Sequence, residues 1–141
     1  MSNMNRNSSG GYFQKNSGFS LLELMIAVAI VGILAAIAIN SYRSSVIKSR
    51  RSAAAACLQE GAQTMERYYT INTTYVGGSM GACSADIANF YTFSSGTPTA
   101  TSFSLSATPT SRQNDSTCGT LTVNQLGVRA ASGSGGATQC W

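Results

Sequence analysis

The chain has 141 residues, a formal net charge of +4 and no histidine. That length allows one modest globular domain rather than two. Five acidic side chains and no imidazole leave little material for general acid–base catalysis or a zinc centre, while four cysteines suit an oxidising compartment.

Met1 to Gly18 is rich in Asn, Ser and Gly and has no apolar periodicity, which predicts an unstructured leader. From Phe19 to Ile39 there are 21 residues, of which Glu23 alone is charged. A helix of that length covers about 30 Å, the thickness of a bilayer's hydrocarbon core. Its apolar residues occupy every face, so it needs lipid, or other helices like itself, all the way round. A cleavable secretory signal would have a shorter apolar run of about 7–15 residues followed by its cleavage site. Here the candidate cleavage signal, Lys15-Asn16-Ser17-Gly18, precedes the run instead. A carboxylate within a membrane helix costs up to about 3 kcal/mol, less near an end, and asks for a cationic partner.

The stretch Gly18-Phe19-Ser20-Leu21-Leu22-Glu23 resembles the processing site of type IV prepilins and of type II secretion pseudopilins. The resemblance implies that a prepilin peptidase cuts between Gly18 and Phe19 and methylates the new amino terminus of Phe19. It implies three segments: a cleaved leader over 1–18, a transmembrane and filament-core helix over 19–39, and a helix continuation with a globular head over 40–141. It also gives Glu23 a partner, the amine of a neighbouring subunit, during assembly.

Charge placement adds a second constraint. Arg6 and Lys15 precede the apolar run, and Arg43, Lys48, Arg50 and Arg51 follow it closely. The positive-inside rule alone would then keep the C-terminal part cytoplasmic. The cysteines, and the cytoplasmic cleavage that the resemblance implies, point to export. Beyond Cys57 the head carries three arginines against four acids, a net of −1.

The helix is predicted to continue past the membrane to about Asn72. No proline interrupts Asn40 to Tyr69, Ala53 to Ala56 favour helix, and Ala54, Leu58, Met65 and Tyr69 share one face. Gly61 weakens that helix by about 1 kcal/mol relative to alanine. Type IVa pilins commonly carry proline at the position of Asn40. Asparagine neither removes a backbone donor nor forces a kink, so a straighter helix is expected here. From Asn89 onward the apolar period becomes two, in Tyr91/Phe93, Phe103/Leu105/Ala107, Leu121/Val123 and Val128–Ala130. Turns are expected at Gly96–Thr99 and Asn124–Gly127. The fold class is therefore α+β, a long N-terminal helix packed on a small four-stranded antiparallel sheet, as in the pilin fold. Ser132 to Thr138 is Gly/Ser-rich and would wander unless tied down.

Cys57, Cys83, Cys118 and Cys140 allow three pairings. Sequence order and strand layout favour Cys57–Cys83 and Cys118–Cys140, the second matching the disulfide-bounded C-terminal region of pilins. Loops of this size stabilise by about 3 kcal/mol each in the chain-entropy model. The segment Cys118 to Gly127, closing with Cys140-Trp141, and Met65-Glu66-Arg67-Tyr68-Tyr69-Thr70 are similar to the PilE group of type IVa pilins, often minor subunits. Tyr68 and Tyr69 read as core aromatics ahead of a ligand-stacking pair. No metal ligands, catalytic constellation or cofactor motif is legible, so no enzyme is expected.

The resemblance implies a structural subunit of a type IV pilus, polymerising through its N-terminal helix and supporting twitching motility, adhesion or DNA uptake. Its expected partners are other pilin subunits, the prepilin peptidase, the inner membrane and the pilus assembly platform. The head would be periplasmic before assembly and extracellular afterwards. Two alternatives share the signal: a minor pilin that captures DNA, which the head charge does not support, and a type II secretion pseudopilin.

Overall fold

A computed structural model describes residues 18–141. The expected leader falls outside the described residues, apart from Gly18. The chain divides after Ala38 into two compact units, and helix α1 (Leu21–Asn72) contributes to both.

In the first unit α1 has no partner among the described residues. Large apolar residues from Phe19 to Ala38, such as Leu21 at 76% and Val28 at 72%, are more than half exposed. Ser20 starts the helix: its hydroxyl accepts from the Leu22 amide and its carbonyl from the Leu24 amide, serving two of the donors that a helix start leaves unpaired. The helix runs through Gly32 and Asn40 without a break. With no proline in this stretch, nothing removes a ladder hydrogen bond.

In the second unit, residues 39–141, α1 buries one stripe, Arg51, Ala54, Ala55, Leu58, Gly61 and Met65. The spacing of three, four and seven is that of a helix face turned to a core. Tyr69, expected on that stripe, is only half-buried and stacks on Tyr75 with ring centroids 4.6 Å apart, while Tyr75 meets Phe103 edge-on at 5.0 Å. Tyr68 donates its hydroxyl to the Val76 carbonyl. Both tyrosines are thus spent on the fold. The helix stops at Thr73, whose φ of 56° is left-handed and whose amide still reaches the Tyr69 carbonyl.

The sheet comprises β1 (Tyr91–Ser94), β2 (Ser104–Pro109), β3 (Leu121–Asn124) and β4 (Arg129–Ala131). They pair antiparallel in the order β1-β2-β3-β4, with Phe93 opposite Ala107 and Leu105 opposite Val123. Tyr91, Leu105, Ala107, Leu121 and Val123 point into the core; the outward face is hydroxylated, and Thr120 donates to Thr108 across two strands. The four-stranded antiparallel sheet and the long helix agree with the sequence reading. The β3–β4 turn is drawn tight by Asn124, whose side-chain oxygen accepts from the Leu126 and Val128 amides, with Gly127 at φ 70°.

Two short helices were not anticipated, α2 (Ala85–Ala88) and α3 (Gly136–Cys140). The Gly/Ser-rich tail around α3 is held by the Gly133 amide on the Cys118 carbonyl, the Gly135 amide on the Thr117 carbonyl, and a Cys118–Cys140 disulfide. A second disulfide joins Cys57 of α1 to Cys83.

Gly61 is more than a weak point in the helix. A Cβ there would lie 2.7 Å from Met80 Cβ and 3.1 Å from Leu105 Cδ1. The helix propensity that alanine gains, about 1 kcal/mol, is outweighed by overpacking of about 1–3 kcal/mol. Gly61→Ala is therefore expected to lower the unfolding free energy of the head in urea despite improving the isolated helix. A variant as stable as the parent would show that Met80 yields freely.

Candidate functional site

Three regions carry the candidate chemistry: the N-terminal end of α1, a buried polar cluster in the head, and a groove beside it.

At the first, Gly18 and Phe19 precede α1 in non-helical backbone and are exposed. Among the described residues, a Cβ at Gly18 would meet nothing within 4 Å. Glu23 lies in the first turn of α1 and is exposed. A carboxylate there is favoured by the helix dipole. Two residues of helix place it about 3 Å along the axis from Leu21, where α1 begins. Among the described residues Glu23 has no salt-bridge partner; the one ion pair found lies in the head.

That ion pair is Arg51–Asp115, with Arg51 Nε 3.0 Å from Asp115 Oδ2 and both side chains at least nine-tenths buried. The Nε approaches side-on rather than along its N–H, so the contact is electrostatic more than a linear hydrogen bond. Arg51 also donates Nη1 to Cys118 Sγ. Asp115 is shared further: Oδ2 accepts from the Tyr91 hydroxyl at 3.2 Å and Oδ1 from the Cys118 amide at 3.3 Å. Gln113 completes the cluster, donating both Nε2 hydrogens, one to the Ile47 carbonyl of α1 at 2.9 Å and one to Tyr91 Oη at 3.2 Å. Burial, reinforced by the Asp115 charge, pushes the Tyr91 hydroxyl up to about 12. Burial likewise raises Tyr75 to about 12, helped by the hydrogen bond it donates to Glu66.

The cluster was missed in the sequence. Its signal was Arg51, three and seven residues before Ala54 and Leu58 and so on the apolar stripe, where a cation demands a buried anion. Asp115, three residues before Cys118, was the acid placed to supply it. This cluster holds the loop before β3 against α1 and offers no reactive group.

Beside it, α1 and the C-terminal disulfide loop enclose a groove of about 870 Å³. Lys48, Arg51, Asp115 and Trp141 are among its lining residues. The cations after the apolar run have divergent fates. Arg51 is paired, and Arg50 lies 3.6 Å over the Phe90 ring. Arg43 and Lys48 are exposed and make no ion pair among the described residues.

The sequence of the head matches a protein-family model. The model is described as type IV minor pilin ComP, DNA uptake sequence receptor, and it fits residues 40–122, more than half of the chain. The chain belongs to the type IV minor pilin family. A prokaryotic N-terminal methylation motif matches residues 13–39 of this minor pilin as well. Its fold is similar to that of a type IV pilin from Shewanella oneidensis, with 39% identity, a TM-score of 0.54, and coverage of 67% of this chain and 97% of that one. The non-core minor pilin PilV of Neisseria meningitidis aligns at 31% identity and a TM-score of 0.53, covering 64% and 90% of the two chains. A probable minor fimbrial protein of Dichelobacter nodosus is 37% identical over 70 residues, 50% of this minor pilin and 44% of that protein. The chain spans less than half the length of the curated relatives it matches. Its family is structural rather than enzymatic.

The raised tyrosine values set an alkaline limit on the head. Their neutral forms are favoured in the folded state, so this stabilisation is complete below about pH 10 and is lost as pH rises toward about 12. Tyr91 alone accounts for roughly 2 kcal/mol of that loss. Unfolding free energies measured across this range should fall steeply, and Tyr91→Phe should flatten part of the fall. Stability unchanged from pH 9 to 12 would contradict the assignment.

Proposed function

We propose that this chain is a minor subunit of a type IV pilus. It is cut between Gly18 and Phe19, methylated at Phe19, and held in the inner membrane by residues 19–39 with its head in the periplasm. It is then drawn through the assembly platform into the filament. The observation that carries this reading is the exposure of the whole apolar helix, with Glu23 as its single charge. Lipid satisfies that surface before assembly, and neighbouring helices satisfy it afterwards. Glu23 then meets the methylated amine of an adjacent Phe19. A buried pair of this kind contributes more to register than to net stability, because desolvation offsets much of its attraction.

Glu23→Ala is expected to reduce incorporation into sheared filaments at least tenfold, as quantified by mass spectrometry. The head's melting temperature should not change. Normal incorporation of the variant would remove Glu23 from assembly.

A second reading, DNA capture, is favoured by the family match over 40–122 and by charge counted over the right body. The compact unit starts at Ile39, so it includes Arg43, Lys48, Arg50 and Arg51. Over residues 39–141 seven basic side chains face four acidic ones, a net of +3 rather than the −1 counted from Cys57. Neutralising phosphates is the main source of DNA affinity. The full chain in neutral detergent should bind duplex DNA with an affinity that falls as salt rises; no binding at low salt would end this reading. The pseudopilin alternative shares the N-terminal signal, but the match over 40–122 lies in the head.

A further inference from the structure

We propose that the Cys118–Cys140 disulfide is a thiol-exchange site: a small thiol entering the groove attacks Cys140, and Cys118 departs as a thiolate held by Arg51. The buried cluster has no reactive group of its own, but it sets a cation on one sulfur of the neighbouring disulfide.

Access argues first. Cys140 lines the groove of about 870 Å³ beside α1, and Cys118 does not. Cys118 is 0% exposed and Cys140 4%. A groove of that volume is on the scale of a small-molecule pocket, so a thiol the size of a short peptide fits it. Exchange depends on which sulfur is reached, and only Cys140 borders the opening.

Charge argues second. Arg51 Nη1 donates to Cys118 Sγ, the sulfur that must leave when Cys140 is attacked. A disulfide opens faster when the departing sulfur is stabilised as a thiolate. An adjacent guanidinium supplies that stabilisation, most strongly where water is excluded. Asp115 shares the guanidinium through Nε, which orients the arginine and tempers its charge, while Nη1 keeps its bond to sulfur. The Cys57–Cys83 disulfide has no such donor among the described residues. The sequence separations of the two bonds, 26 and 22, are similar, so loop entropy barely distinguishes them.

Reversibility argues third. The attacking thiolate forms a bond to Cys140 Sγ, the Sγ–Sγ bond breaks, and its electron pair passes to Cys118 Sγ. Return attack by the Cys118 thiolate expels the small thiol and restores the disulfide with no net oxidation. A second small thiol attacking the mixed disulfide instead leaves both cysteines reduced, after proton uptake, and joins the two small thiols as their own disulfide. The C-terminal segment stays in place meanwhile. The Gly133 and Gly135 amides hold the Cys118 and Thr117 carbonyls, and Trp141 Nε1 holds the Ala130 carbonyl. Cys118 and Cys140 thus keep close to their Cα separation of 5.5 Å, and closure is intramolecular.

The test treats the full chain in neutral detergent with reduced glutathione, without denaturant, and traps free thiols with iodoacetamide for peptide mass spectrometry. The glutathione adduct should sit on Cys140 and the alkyl group on Cys118, with the head still folded by circular dichroism. Arg51→Gln combined with Asp115→Asn removes both charges and keeps polar side chains. This pair should slow opening of Cys118–Cys140 about tenfold relative to Cys57–Cys83 in the same sample. Arg51→Met with Asp115→Leu, an apolar pair of similar volume, should slow it as much. A purely structural role for the ion pair predicts the reverse, since a loosened loop opens sooner. Adducts on Cys118, a bond that opens only once the head unfolds, or unslowed opening in both neutral pairs overturns the proposal.

Discussion

The head depends on one contact made across most of its sequence: Arg51 of α1 against Asp115 of the loop before β3. Two charges taken out of water are costly, and their mutual attraction repays that cost only when the remaining donors and acceptors are satisfied. Here they largely are, through Tyr91, Gln113 and the backbone and sulfur of Cys118. An apolar pair of similar volume would hold the same space without fixing which residues meet. The ionic version penalises every alternative docking of the loop, because each would strand a buried charge. It therefore sets where β3, β4 and the C-terminal loop lie on the helix, and with them the groove.

What was legible in the sequence was what repeats. The apolar run from Phe19, the stripe through Leu58 and Met65, and the alternation in Tyr91–Phe93 and Leu121–Val123 are periodic, and each maps onto an observed element. What was not legible depends on pairs distant in the chain. Gly61 reads as a helix defect until Met80 and Leu105 are seen against it. Arg51 reads as one of four basic residues after a membrane span until Asp115 is found 64 positions later. The glycines and serines near the C-terminus read as loose chain because their restraints are single backbone bonds to Thr117 and Cys118, which leave no pattern.

The same distinction changes the meaning of charge. Counted along the sequence, the cations at 43–51 belong to the membrane flank and bear on orientation. In the folded chain Arg50 and Arg51 are packing residues of the head, one under a ring and the other under a sulfur. An orientation argument built on four free cations is accordingly weaker than it looks, and an argument about the head's field is stronger. Assigning charges to bodies rather than to segments reverses the sign of the head.

The two disulfides close separate loops, Cys57–Cys83 and Cys118–Cys140, and neither ties the helix to the C-terminal loop. Under a pull applied between them, the covalent links shield both loops, and only residues 84–117 can pay out, a tether of roughly 120 Å at about 3.4 Å per residue. The restraints on that segment are not covalent: the strand ladders of β1, β2 and β3, its core side chains, the Arg51–Asp115 pair and the Gln113 bond to Ile47. The two disulfides therefore set a covalent limit to how far a pull could draw the chain out of the head, while everything short of that limit is held by non-covalent contacts.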